Sequence, residues 1–188
     1  MIEAFQNIFT AFGLSASAGL NAYLPLLVVA LTAKYTNLLQ LNEPWNVMTS
    51  WWVIGLLAVL LLIEVTVDKI PAVDTVNDIV QTLGRPAAGA ILFAANSGVV
   101  GELNPVLAFG AGLILAGGVH TVKSVARPAV TATTGGTGNW AVSIIEDVLA
   151  LIAAVLSILL PILVVLTVVF AFMMFVWWRM RRARAAMV

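Results

Sequence analysis

The sequence contains no cysteine. Disulfides, iron–sulfur clusters and thiolate metal sites are excluded at once. Histidine is nearly absent as well: His120 stands alone, so paired-histidine haem ligation within one chain is excluded. Charge is scarce, at 10% of residues, where a soluble domain carries about 25%. The opening MIEAFQN has an acid where a secretory signal needs positive charge, so no cleaved signal peptide is expected. No serine sits in a recognisable nucleophile setting. The glycine-bearing TTGGTGNW neither follows a strand nor has the spacing of a nucleotide fingerprint. The expectation is a non-catalytic chain with no cofactor, no metal and no nucleic-acid partner.

What is abundant is apolar surface. Of 188 residues, 62% are hydrophobic, and the mean hydropathy is +1.06. A helical span across a hydrocarbon core needs about 20 apolar residues. The length therefore predicts one all-α polytopic transmembrane bundle over 1–188, with five spans near 8–33, 51–69, 86–100, 104–124 and 148–178. Within the first, Ala11, Ser15 and Gly19 share a close-packing face, and Asn21 and Pro25 predict a kink or break. Trp51 and Trp52 open the second, as at a membrane interface. Pro71 ends it, and 74–83 reads as a short interfacial amphipathic helix broken by Gly84-Arg85-Pro86. The segment 86–100 reads as a short span or a re-entrant hairpin. Gly110, Gly112, Gly117 and Gly118 predict a thin, central fourth helix. The run from Val148 to Trp178 exceeds one bilayer thickness, so it tilts, kinks at Pro161 or protrudes. Bulky Met173, Met174, Phe175, Trp177 and Trp178 place its lower part against lipid or a partner.

Four of the nine basic residues, Arg179, Arg181, Arg182 and Arg184, fall in the tail 179–188. The positive-inside rule makes this tail cytoplasmic, and five spans then put the N-terminus outside.

The remaining charges define the candidate site. Glu64 and Asp68 are four apart and share a helix face. Lys69, Asp74 and Arg85 follow. His120, Lys123 and Arg127 share one face at i, i+3 and i+7, and Glu146-Asp147 precede the last span. Isolated charges at membrane depth cost several kcal/mol, so the acidic face of the second span should meet the basic face of the fourth. Lys123 is expected within ion-pair reach of Glu64 or Asp68, and Arg127 or Arg85 near Asp74, Glu146 or Asp147. A cation held by Glu64, Asp68 and His120 is the alternative to an ion-paired interface.

The ordered series GLNAYLPLL, EVTVDKIPAVD, GRPAAGAI, HTVKSVARP and SIIEDV resembles the bacterial integral membrane family of a domain of unknown function, DUF4126. The likeness runs from Gly13 to Val148 and leaves the last long helix outside. It implies a domain in a bacterial plasma membrane and supplies no activity, substrate or cofactor. Two functions of different class fit. One is an accessory or scaffold subunit of a larger membrane assembly, such as a respiratory complex, with other subunits or a second copy as partners in the lipid bilayer. The other is a small ion or solute transporter or channel using the charge cluster.

Overall fold

The computed structural model describes the backbone of residues 2–69, 73–96 and 104–185. It describes the side chains of 6–69, 80–96 and 104–161, and of 163, 166, 167, 169–177 and 179–181. Seven α-helices account for nearly all of it: α1 (Ile2–Ala18), α2 (Tyr23–Tyr35), α3 (Trp51–Val67), α4 (Val73–Ala95), α5 (Pro105–Thr134), α6 (Asn139–Leu159) and α7 (Pro161–Ala185). A short 3-10 turn, Trp45–Thr49, leads into α3. No strand occurs among the described residues, only an isolated bridge between Leu41 and Asn96. Two helices, α5 and α6, are long and apolar enough to cross a membrane.

The stretch 8–33 does not pass straight through. Asn96 at the end of α4 donates to the carbonyl of Asn7 in α1, and Asn42, just beyond α2, donates to Ala95. Residues 7 and 42 therefore lie at the same end of the bundle. Placed end to end, α1 and α2 would separate their outer ends by about 40 Å at 1.5 Å per residue. The six residues from 36 to 41 span about 20 Å at most, so α1 and α2 must double back. They form a helical hairpin with its tip at Gly19–Ala22. Pro25 is no kink within one helix. It sits in the first turn of α2, where no intrahelical N–H is needed. Asn21 starts that turn, its Oδ1 accepting from the Leu24 amide at 2.9 Å, as an N-capping side chain does.

Three further boundaries differ from expectation. The segments 74–83 and 86–95 are one helix, running through Gly84-Arg85-Pro86. The ring of Pro86 lies where Gly117 leaves room, 3.5 Å from the position of a Cβ there, and close helix packing accommodates the proline. The expected end of the second span at Pro71, and residues 97–100, lie outside the described residues. The fourth helix continues past 124 to Thr134, closed by Gly135 in the left-handed conformation. Finally, 148–178 is two helices. Leu160 leaves the α region (φ −140, ψ 62), as the residue before a proline tends to, and Pro161 opens α7.

α1 lies in the interior, antiparallel to α4: Ser15 donates to the carbonyl of Gly89 at 2.8 Å. A Cβ at Gly19 would collide with Val119 and the Ala116 carbonyl of α5. α4 and α5 are closer still. A Cβ at Gly89 would strike Ala116 and the Gly112 carbonyl, and one at Gly112 would strike Gly89. The glycine-rich helix is thus tightly packed on one side but not central, against expectation: Gly110 and Gly118 face open space, and Val106, Leu107, Ile114, Val122 and Val125 are exposed. α7 is the contrast: Phe170, Phe172, Met173, Met174 and Trp177 are exposed, while the side chain of Trp178 lies outside the described residues.

Candidate functional site: a buried, charge-balanced network at the hairpin tip

The acidic end of α3 supplies the first two groups. Glu64 is 1% exposed and Asp68 2%. The Glu64 carboxylate receives the amides of Ala22 (3.1 Å) and Tyr23 (3.4 Å) at the start of α2. A carboxylate there satisfies orphan N–H groups and meets the positive end of the helix dipole. The other half of the hairpin is treated with the opposite sign. The carbonyl of Leu20, just past α1, accepts from Lys123 Nζ at 3.1 Å.

Arg85, midway along α4, is fully buried. Its Nη2 lies 3.2 Å from Glu64 and 3.3 Å from Asp68, and its Nη1 lies 2.9 Å from His120 Nδ1. A guanidinium has no lone pair to offer, so Nδ1 accepts and the ring proton of neutral His120 is on Nε2. That nitrogen faces the hydroxyls of Thr82 (3.3 Å) and Ser124 (3.4 Å). From α5, Lys123 reaches Asp68 (3.3 Å) and Glu146 (3.0 Å). Arg127 reaches Glu146 (2.8 Å) and Asp68 (3.6 Å). At the margin Asp147 binds Lys69 at 3.4 Å and accepts from Asn21 Nδ2 at 2.9 Å.

Among the described residues, four cations, Arg85, Lys69, Lys123 and Arg127, stand against four acids, Glu64, Asp68, Glu146 and Asp147. Four helices contribute to the network, and the tip of a hairpin made by two more is pinned into it. At 1.5 Å per residue, Glu146 and Lys123 lie about 10 and 16 Å from the nearer ends of α6 and α5, and Arg85 about 15 Å from the nearer end of α4. The site lies well inside α4, α5 and α6 and at the C-terminal end of α3.

The structure brings together Glu64, Asp68, Lys69, Arg85, His120, Lys123, Arg127, Glu146 and Asp147. The side chain of Asp74 lies outside the described residues. The expected contact of Arg127 or Arg85 with Asp74, Glu146 or Asp147 is made by Arg127, 2.8 Å from Glu146, while the continuous α4 carries Arg85 into the core to meet Glu64 and Asp68. His120 serves Arg85 instead of sharing a cation with the two acids. Among the described residues no group of three or more acidic or histidine ligands could hold a metal ion. Asn21, Thr82 and Ser124 were not legible as members. The capping pattern, an Asn just before a helix with Pro in its first turn, is the signal that marks Asn21.

The class so defined is an all-helical bundle closed around a buried ion-pair network, with a helical hairpin ending in it. The chain belongs to the family of the domain of unknown function DUF4126, which matches residues 8–181. The match takes in the hairpin, the network and α7, so the last helix belongs to the family domain. No curated protein and no solved structure matches the chain.

Proposed function

We propose that this is a multi-pass protein of the bacterial plasma membrane that passes a small ion or solute, without catalysis, through the region of the hairpin tip. One observation carries the reading: α1 ends and α2 begins at a tip that meets a cluster of buried charges. Discontinuous helices whose ends face charged groups at the midplane are how transporters build their sites. Intramembrane ionisable residues otherwise cost too much to keep. In this reading α3 to α6 each cross the bilayer, α1 and α2 enter and leave on one face, and the arginine tail is cytoplasmic. The test is flux through proteoliposomes of the purified full chain, with protons, sodium, potassium and chloride as probes. Flux abolished by Arg85→Gln is the expected result. Absence of flux for all four probes overturns the reading.

A second reading, an accessory subunit of a larger membrane assembly, is favoured by the bulky exposed side chains of α7. Native purification from membranes tests it: a partner held at fixed stoichiometry supports it, and its absence removes it.

A further inference from the structure

The charge network accounts for four cations, and Lys34 is engaged elsewhere, bonded to the Thr49 carbonyl at 2.7 Å and stacked 4.5 Å over Trp51. The four remaining cations are Arg179, Arg181, Arg182 and Arg184. No acidic residue occurs after Asp147, so nothing within α7 offsets them. The helical backbone continues through all four positions to Ala185. At 100° per residue they fall near 0°, 200°, 300° and 140°, a ring around the helix rather than a stripe along it. Directly before the ring, exposed side chains also face every direction: Phe172, Met173, Met174, Phe175 and Trp177. Trp177 joins the two zones, with the Arg181 guanidinium 4.1 Å above its ring. A stripe would fit one protein groove. An apolar collar followed by an indole and an arginine ring fits a layered surround: hydrocarbon, then interface, then phosphate.

We propose that the end of α7 is a recognition site for the headgroups of anionic phospholipids, which gather around it in preference to zwitterionic ones. The proposal rests on the membrane reading above but not on transport. Each basic residue near an anionic surface contributes about a five-fold gain in partitioning, and guanidinium matches phosphate in bidentate geometry. The recognition is electrostatic, so it weakens as salt shortens the Debye length, about 10 Å at 0.1 M.

The experiment reconstitutes the full chain in nanodiscs of phosphatidylcholine with a minor share of phosphatidylglycerol. Lipids retained on the protein after release are then read by native mass spectrometry. The wild type is expected to retain phosphatidylglycerol at least about five-fold above its bulk share, less so when the nanodiscs are equilibrated at high salt. The quadruple variant Arg179→Gln, Arg181→Gln, Arg182→Gln, Arg184→Gln is expected to lose that enrichment. The matching quadruple lysine variant is expected to keep most of it. Equal enrichment in the wild type and the glutamine variant overturns the proposal. So does loss of enrichment in the lysine variant as complete as in the glutamine one. Liposome flotation separates the two levels of claim. A wild type that floats but shows no enrichment overturns lipid recognition alone, and one that does not float overturns the membrane reading with it.

Discussion

Lys123 and Arg85 are the residues on which the network turns, because each bridges two acids. Their attraction to those acids is offset by desolvation, but removing one partner leaves buried charge uncompensated, at about 3–5 kcal/mol. Lys123→Ala and Arg85→Ala should each lower stability by that order, read as thermal unfolding of the full chain in detergent. Lys123→Ala combined with Asp68→Ala should cost less than the sum of the two, with coupling of about 0.5–3 kcal/mol. Additive losses would mean that the pair is not a thermodynamic unit. The glycines offer a purely steric counterpart. Gly89→Val forces side-chain atoms into Ala116 and the Gly112 carbonyl, an overpacking loss of about 1–3 kcal/mol. Gly110→Ala meets nothing within 4 Å and should leave the melting curve where it was or raise it.

At the scale of elements, the charged faces were legible because a helix repeats its face every three to four residues, and 64/68 and 120/123/127 obey that period. The direction of the chain was not. Hydropathy integrates apolar character along 8–33 and is blind to a reversal within it. Small residues such as Gly19 and Ala22 look the same in a packed span as at a hairpin tip. Gly84-Arg85-Pro86 misled for a related reason: glycine and proline are strong breakers locally, but packing against α5 overrides them. The hairpin makes a sharp prediction. The protein has no cysteine of its own, so single cysteines placed at exposed Gln6 and Leu38 report separately. Both should react with an impermeant maleimide from the same side of the membrane. Labelling from opposite sides would restore a single crossing over 8–33.

For the molecule as a whole, charge is sorted into two compartments. Among the described residues the interior network pairs four cations with four acids, while the tail carries four arginines beyond the last acid. The tail should therefore set orientation. A reporter fused after Val188 is expected to be active only in the cytoplasm, and activity only outside it would invert the arrangement proposed here. The helical character of the chain was legible, but the number of helices and their breaks were not. The meeting of α3, α4, α5 and α6 with the hairpin tip was legible only as a demand for partners, since sequence fixes which charges need neutralising but not which neighbour does it.

The pairing of those charges also has a history within each round of synthesis. Glu64 and Asp68 leave the ribosome first. Their earliest partner, Arg85, follows 17 to 21 residues later, and Lys123 follows Asp68 by 55. A nascent chain halted just after Asp68 thus holds two carboxylates without the Arg85 that meets both in the finished fold. Only when α6 has been made do all eight charges exist together. The network is therefore completed late, and a chain cut short before α5 lacks Lys123 and Arg127 to receive Asp68.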